Sequence, residues 1–399
     1  MKKIIAIAYD LNPCIGSEAG AAYIWADILS KQFDTLIYTQ EKHRHDLEKV
    51  NSKLTIEYIS GKSIVSKLFL KLKLYNYDYS MFIKKVENRI GNEIIANDTI
   101  LYFLTPAGIH SYNRLGSKLH IPYIIGPVGG FLELPSGFEE YRSITMAFKE
   151  SFYKRLIKKT KWKEYFTGAS KIIAGTGLVA KHLPEECSGK VRIIHDAVVD
   201  TDFFNSNNLK RKCYIVQIVY SGRLEQHKGC YILAKAFATL LQKGYENIRL
   251  VFAGDGKEFH KMNKFIEKNN IQSKARLVGW IPRNELKDLL VGSDIFCLPT
   301  LKEPGGTAIL EAMACGIPVI TTNYGGPASS VTKESGILIE PVSVHDYINK
   351  LSAALEMLIN DQELRESMGA MARKHVIENF SSASLEKKII DIFQEISSL

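Results

Sequence analysis

The stretch Lys302–Ile320 constrains the fold of this chain more than any other. It reads KEPGGTAILEAMACGIPVI and follows an apolar run, Ser293–Thr300, that is typical of a buried strand. The paired glycines predict a tight turn, and Thr307 is expected to be the N-cap of a short helix that ends at Gly316. The stretch therefore predicts a β-α-β unit. The N-terminal amides of its helix face the space above the strand ends, where an anion can bind.

Two carboxylates frame this turn. Glu303 precedes the predicted helix, and Glu311 lies about one turn inside it. Carboxylates repel phosphate but accept hydrogen bonds from sugar hydroxyls, while the amides of residues 305–308 are suited to a phosphate. The pattern therefore predicts a site for a phosphorylated sugar.

A second motif reads YSGRLEQHKG over residues 220–229. It puts Arg223 and Lys228 in a glycine-flanked loop between a predicted strand and a predicted helix. Two fixed cations beside a helix N-terminus suit a diphosphate leaving group, on which charge builds as its bond to a sugar breaks.

Together the two motifs resemble the donor site of retaining glycosyltransferases of the GT-B class, family 4 (glycosyl transferases group 1). The match is residue for residue at Gly-Arg-Leu…Lys-Gly, and the Glu pair has the family's spacing of seven intervening residues before Ala-Met-Ala-Cys-Gly-Ile-Pro-Val-Ile. The resemblance covers the second half of the chain by motifs and the first half by layout. It implies an α/β GT-B fold of two Rossmann-like, doubly wound domains facing across a cleft. It also implies retaining transfer from a nucleotide-diphosphate sugar, without cofactor or metal, to a glycan or lipid-linked acceptor in bacterial surface polysaccharide synthesis.

The resemblance assigns roles to residues. Catalytic roles are implied for Glu303, Arg223 and Lys228, with Glu303 on the sugar hydroxyls and Glu311 on the ribose. The implied donor-binding residues are Gly16, Gly222, Arg223, Lys228, Gly254, Val278, Glu303, Gly305, Gly306, Thr307 and Glu311. The acceptor side is expected to include Glu18, Gly129, Gly130 and Glu133. Many family members carry a histidine after the strand that ends near Gly126, but this chain has Gly-Pro-Val-Gly-Gly there, so no histidine role is transferred.

Three shorter features admit local interpretations. His195 and Asp196 occupy the place of a hinge, so a catalytic base is not expected there. Asp200-Thr201-Asp202 looks like the metal motif of a different glycosyltransferase class, but it follows the first predicted sheet and is interpreted as a turn. Trp280 follows a predicted strand and would either stack on a ligand or belong to the core.

Apolar runs alternate with amphipathic stretches along the whole chain, which predicts two consecutive doubly wound domains with parallel sheets. A length of 399 residues is sufficient for two cores. The polar stretch 202–212 predicts a linker. The expected domains are therefore 1–205 on the acceptor side and 206–380 for the nucleotide sugar. A last helix, 381–399, crosses back to the first domain in the resembling family.

The net charge of +9 concentrates in Lys62–Lys85 and Lys149–Lys163. Leu, Phe, Tyr and Trp residues interleave with these cations. Such helices either lie on an anionic lipid surface or cover a sheet with their lysines in water, and both interpretations stay open. Scattered cysteines and the lack of a membrane-spanning apolar run favour a cytoplasmic location, peripheral to the inner face of the cell membrane if lipid is bound.

Two other function classes remain as alternatives. A nucleotide-sugar epimerase of GT-B-like fold shares the layout, although both motifs favour transfer. A basic protein that binds nucleic acid or membrane without transferase activity would account for the charge but not for a complete donor site, so no nucleic-acid partner is expected. The nucleobase, the sugar and the acceptor are not specified by the sequence.

Overall fold

The computed structural model describes residues 3–14, 17–50, 53–60, 75–91, 98–130, 132–195, 197–206 and 214–397. Two parallel sheets form the centres of two compact units. The first unit comprises Met1–Phe131, Phe148–Asp196 and Glu386–Leu399, and the second comprises Leu132–Ala147 and Ala197–Leu385. The predicted α/β class with two doubly wound sheets is confirmed.

The first unit has a seven-stranded sheet in the order β3-β2-β1-β4-β5-β6-β7. Its strands are β1 (Lys3–Ala8), β2 (Asp34–Gln40), β3 (Thr55–Ile59), β4 (Thr99–Thr105), β5 (Tyr123–Val128), β6 (Lys171–Ala174) and β7 (Val191–Ile193). Its helices are α1 (Ser17–Gln32), α2 (Arg44–Lys49), α3 (Tyr75–Ile90), α4 (Leu115–Leu119), most of α5 (Ile144–Leu156), α6 (Thr160–Thr167), α7 (Gly177–Ala180) and most of α15 (Ser382–Ser397). Every residue of β4 and β5 is buried, as expected for central strands of a parallel sheet that is covered on both faces.

The second unit has a six-stranded sheet in the order β10-β9-β8-β11-β12-β13. Its strands are β8 (Val216–Ser221), β9 (Ile248–Ala253), β10 (Ala275–Gly279), β11 (Ile295–Leu298), β12 (Val319–Thr322) and β13 (Gly336–Ile339). Its helices are α8 (Cys230–Gln242), α9 (Phe259–Lys268), α10 (Arg283–Val291), α11 (Thr307–Ala314), α12 (Pro327–Ser330), α13 (Val344–Asn360) and α14 (Gln362–Phe380). Helix α8 packs against α13, and α11 packs against α14. The core between these layers is aromatic, with Phe237, Phe252 and Phe296 fully buried.

The C-terminal helix α15 contributes its last residues to the first unit. Phe393 is buried there, and its ring centroid lies 5.5 Å from that of Tyr102 in an edge-to-face contact. Glu395 accepts from Lys171 at 2.6 Å and from Arg192 at 3.0 Å. Ile389, Ile392 and Ile396 are buried as well, so the helix is held to the first unit by an apolar face and an ion-pair cluster.

The segment Leu132–Ala147 belongs to the second unit although the chain on either side of it belongs to the first. A single division at residue 205 does not account for this excursion. Phe138 is fully buried, with its ring edge-on to Tyr347 at 5.9 Å. At Gly137 the left-handed φ of 88° accompanies a close approach, since an added Cβ would lie 2.1 Å from the Val342 carbonyl oxygen. The segment therefore completes the second core.

Replacing Phe138 with alanine is expected to lower the free energy of unfolding of the second unit by about 3–5 kcal/mol, because it removes a whole buried ring and leaves a cavity. Phe148→Ala is the matched control, since that ring is 75% exposed and its loss is expected to cost about 0.5 kcal/mol or less. Urea denaturation followed by tryptophan fluorescence and circular dichroism measures both. Equal costs for the two variants would contradict the assignment of this segment to the second core.

Within the described part of the chain, no helix combines the length and the apolar content needed to cross a bilayer.

Candidate functional site

The second sheet reverses its direction of growth between β8 and β11. The chain adds β9 and β10 on one side of β8 and then adds β11, β12 and β13 on the other. In open parallel sheets, ligands bind at the carboxyl ends of the two strands that flank such a reversal. Both sequence motifs follow these two strands. They touch there, since the Leu301 amide donates to the His227 carbonyl oxygen at 2.8 Å.

Glycines allow the loops at this edge to approach one another closely. At Gly229, φ is 71°, and an added Cβ would lie 2.0 Å from the Pro299 carbonyl oxygen. At Gly254, φ is 141°, and an added Cβ would lie 2.0 Å from the Gly222 carbonyl oxygen. A side chain at either position would push the loops apart, so backbone groups rather than side chains line this part of the site.

The Lys228 ammonium and the Glu303 carboxylate form an ion pair across the two loops. Their side chains are 12% and 14% exposed, so water screens the pair only partly. The other oxygen of Glu303 accepts from the Gly306 amide at 3.2 Å, and the Glu303 carbonyl accepts from the Gly326 amide at 2.8 Å. Glu303 is therefore fixed through both its backbone and its side chain between a cation and the start of α11.

The N-cap of α11 is Gly306, not Thr307. Gly306 has a left-handed φ of 76°, which a threonine disfavours, and Thr307 is the first residue of the helix. The expectation of a threonine cap was wrong because the turn requires this conformation at the cap itself. The cap residue has no side chain, and the Ile309 amide donates to the Gly306 carbonyl at 2.9 Å, so the amides of Thr307 and Ala308 are the ones that can donate to an anion.

Arg223 extends from the loop after β8 with its side chain 70% exposed. Its guanidinium donates to Glu225 at 2.9 Å, and its carbonyl accepts from the Tyr220 hydroxyl at 2.9 Å. The second oxygen of Glu225 lies 3.5 Å from Nδ1 of His227. The sequence motifs did not single out Glu225. Its position two residues after Arg223 is the feature of the sequence that could have indicated it.

His227 stays neutral at physiological pH. Burial lowers its pKa to about 4, and the charge of Lys228 acts in the same direction. The cationic charge of this loop therefore comes from Arg223 and Lys228.

Glu311 lies on α11 and is partly buried. Burial raises its pKa to about 7, against a smaller opposing effect of Arg283.

Arg283 lies 3.5 Å from Asp200, and its guanidinium lies 4.3 Å from the centre of the Phe203 ring. Asp200 also accepts from the Phe203 amide at 2.9 Å, as in an Asx turn. The Asp200–Asp202 segment is a turn held by α10, as interpreted from the sequence.

Two apolar side chains project at the end of β10. Val278 is 40% exposed and Trp280 is 76% exposed, so Trp280 does not belong to the core. Gly279, between them, accepts from the Gly254 amide at 2.7 Å, which joins this strand end to the loop after β9. Gly16 and Asp196 lie outside the described residues.

The residues expected on the acceptor side lie in different units. In the first unit the Ala107 amide donates to Glu18 at 2.7 Å, and the Gly129 amide donates to the Ala107 carbonyl at 2.6 Å. Gly130 follows with φ of 85°. Glu133 is partly buried and belongs to the second unit. The structure thus brings Glu18 and Gly129 together through Ala107 and groups Glu133 elsewhere.

The family described as glycosyl transferases group 1 matches residues 201–375. A curated relative is the phosphatidylinositol N-acetylglucosaminyltransferase GPI3 subunit of Saccharomyces cerevisiae, 26% identical over 217 residues, which are 52% of this chain and 46% of that protein. The chain thus spans about half of the length of that relative.

Solved structures resemble the chain over its whole length. The Anabaena protein HepE, in complex with UDP, is 17% identical with a TM-score of 0.68 and full coverage of both chains. The lipopolysaccharide outer core galactosyltransferase WaaB is 16% identical with a TM-score of 0.67, again with full coverage of both chains. This likeness confirms the expected GT-B fold of two Rossmann-like domains.

Proposed function

We propose that this chain, whose residues 201–375 match the family of group 1 glycosyl transferases, transfers a sugar, with retention, from a nucleoside-diphosphate donor to a glycan or lipid-linked acceptor. The observation that carries the proposal is the ion pair of Lys228 and Glu303 at the uncapped start of α11. The Lys228 cation and the helix amides can bind a diphosphate, and the Glu303 carboxylate beside them can accept hydrogen bonds from sugar hydroxyls. A sugar diphosphate requires both.

Each group has a distinct role in this proposal. Arg223 and Lys228 stabilise the negative charge that develops on the departing diphosphate, together with the first-turn amides of α11. Glu303 accepts hydrogen bonds from the hydroxyls of the transferred sugar, and Glu311 accepts them from the ribose. No resident cofactor or metal is part of the proposal, because protein cations supply the neutralising charge. The departing phosphate takes the proton of the acceptor hydroxyl, so no carboxylate needs to act as a nucleophile.

We extend the proposal to the acceptor and the cellular role. GPI3 is named for transfer to phosphatidylinositol and WaaB for the lipopolysaccharide core, so both names concern lipid-borne acceptors. Synthesis of a bacterial surface polysaccharide, with the protein peripheral to the inner face of the cell membrane, fits the concentration of basic charge in residues 142–163.

Binding of UDP, GDP and ADP by calorimetry, with EDTA present, tests the donor site. UDP is tried first because HepE was solved with it. Wild type is expected to bind one of the three, and Arg223→Ala is expected to bind it at least tenfold more weakly, since a charge-assisted contact to phosphate is lost. Arg276→Ala, an exposed arginine within β10, is the matched control. If the folded wild type binds none of the three, the transferase assignment fails.

The reaction itself separates transfer from epimerisation. Incubation with the matching nucleotide sugar and an acceptor is expected to release free nucleoside diphosphate and a product whose anomeric configuration, read by NMR coupling constants, equals that of the donor. A nucleotide sugar changed at one carbon with no release of nucleoside diphosphate would identify an epimerase instead.

A further inference from the structure

Helix α5 exposes three large apolar side chains on one side. Ile144, Phe148 and Phe152 are 90%, 75% and 43% exposed. They are spaced four residues apart, so they form a single stripe along the helix. Isolated exposed apolar residues need no explanation, but a row of one isoleucine and two phenylalanines on a single helix face does.

The opposite side of α5 holds the helix in place. Glu150 is buried, and the Tyr153 ring stacks on His110 with a centroid distance of 5.0 Å. Glu150 and Tyr153 lie across the helix from the exposed stripe, because each residue advances by about 100°, whereas the buried Leu156 ends the stripe at its C-terminal side. The stripe is therefore an outer face of an anchored helix.

The sequence around this stripe is basic. Between Arg142 and Lys163 the sequence holds eight lysines and arginines and one acidic residue, the buried Glu150, so this stretch carries +7 of the chain's net charge of +9. Arg155 lies on the same side of α5 as the stripe, and Lys158, Lys159 and Lys161 follow it, all of them exposed. A nucleic acid would match the charge but not the apolar stripe, whereas an anionic bilayer surface matches both together.

The aromatic residues of the next helix, α6, face the core. Trp162, Tyr165 and Phe166 on α6 are buried, and the Trp162 indole donates to the Ile109 carbonyl at 2.8 Å. These aromatic residues are core, as the alternative of an ordinary covering helix requires. Only the face of α5 remains available to lipid in the stretch Lys149–Lys163.

We propose that the outer face of α5 docks on an anionic lipid bilayer, with Ile144, Phe148 and Phe152 inserted at the headgroup level and Arg155, Lys158, Lys159 and Lys161 on the lipid phosphates. Burial of the three apolar side chains in the headgroup layer attaches the helix to the membrane. The basic residues make binding selective for anionic membranes, because each cation near the surface raises the affinity about fivefold. The docking itself does not depend on the proposed function. Its purpose, which is to present a lipid-linked acceptor to the enzyme, rests on that function.

Co-sedimentation of the full chain with vesicles at 0.15 M salt tests the docking face. Wild type is expected to bind phosphatidylcholine vesicles that contain 30% phosphatidylglycerol at least tenfold more tightly than pure phosphatidylcholine. The triple variant Ile144→Ser, Phe148→Ser, Phe152→Ser is expected to lose at least tenfold. The matched control replaces three exposed apolar residues of the second unit, Tyr214, Val342 and Met357, with serine and is expected to bind like wild type.

A second pair of variants tests the charge. Arg155→Gln, Lys158→Gln, Lys159→Gln is expected to weaken binding to the anionic vesicles about a hundredfold. Its control is Lys257→Gln, Lys264→Gln, Lys268→Gln, three exposed lysines on or just before α9, which is expected to bind within about twofold of wild type.

Several outcomes would overturn the proposal. They are a wild type that does not bind anionic vesicles, an apolar triple variant that binds like wild type, and equal losses in variants and controls. A wild-type dimer that becomes a monomer in the apolar triple variant, with unchanged vesicle binding, would assign the stripe to a second copy instead.

UDP calorimetry on the same samples separates the two proposals. Vesicle binding without nucleotide binding removes the transferase function and leaves the docking face, and the reverse result removes only the docking face.

Discussion

Replacing Lys228 with alanine is expected to lower the rate of sugar transfer by a factor of about 10²–10³. Removing one preorganised donor from a developing anion typically has an effect of this size. The change also leaves the Glu303 carboxylate without its cation in a site that is only 14% exposed for that side chain, so a negative charge now faces the diphosphate. Steady-state kinetics with the matching nucleotide sugar measures the loss.

Lys243→Ala is the matched control for this variant. Lys243 also pairs with a glutamate, Glu356, at 2.7 Å, but the two side chains are 47% and 31% exposed and lie at the end of α8 away from the motif loops. Its removal is expected to leave the rate unchanged, since exposed pairs contribute about 1 kcal/mol or less to stability. A rate for Lys228→Ala within about threefold of this control would remove Lys228 from the catalytic residues.

Glu303→Gln separates the two partners of the pair. It leaves Lys228 in place without its counterion, so binding of the free nucleoside diphosphate is expected to hold or tighten while sugar transfer falls. Calorimetry and kinetics on one preparation give both values. A parallel loss of diphosphate binding and of transfer would mean that Glu303 acts only by supporting the loop.

The sequence predicted most of the fold because its signals are local and repeated. Apolar runs with polar flanks form strands, as at Ile248–Ala253, and the amphipathic stretches between them form helices, as at Arg283–Val291. The excursion of residues 132–147 could not be predicted. Phe138 reaches its partner Tyr347 across more than 200 positions of sequence, and no local pattern reports such a distance.

The candidate site was predictable where chemistry alone defines a residue. A strand, a glycine turn and a cation or carboxylate suffice to indicate Arg223, Lys228 and Glu303 as site residues. The direct pairing of Lys228 with Glu303 was not predictable, because it depends on the meeting of two loops at the reversal of the sheet. The same holds for Gly306, whose φ follows from the closure of the turn, and for the outer face of α5, whose exposure depends on what packs beneath it.

Glu311→Gln is expected to stabilise the protein increasingly as the pH rises from 5 to 8. Burial raises the pKa of Glu311 from its ordinary value of 4.5 to about 7, so the folded state holds a proton that the unfolded state releases near pH 4.5. In wild type, stability is therefore lost as the pH rises from about 4.5 to 7 and is level above that range. Glutamine carries no charge and avoids this loss, which amounts to about 2–3 kcal/mol between pH 5 and pH 8.

Urea denaturation of both proteins at pH 5 and pH 8 gives the difference directly. Glu356→Gln is the control of opposite sign, because hydrogen bonds from Lys243 and Tyr245 lower the pKa of Glu356, so its contribution to stability is lost as the pH falls.

The stabilised Glu311→Gln variant is nevertheless expected to bind UDP more weakly than wild type, and by a larger factor at pH 8 than at pH 6. An ionised carboxylate accepts from ribose hydroxyls more strongly than a neutral amide does. A gain in stability without loss of nucleotide affinity would mean that burial of this carboxylate serves no ligand, and the ribose role of Glu311 would be withdrawn.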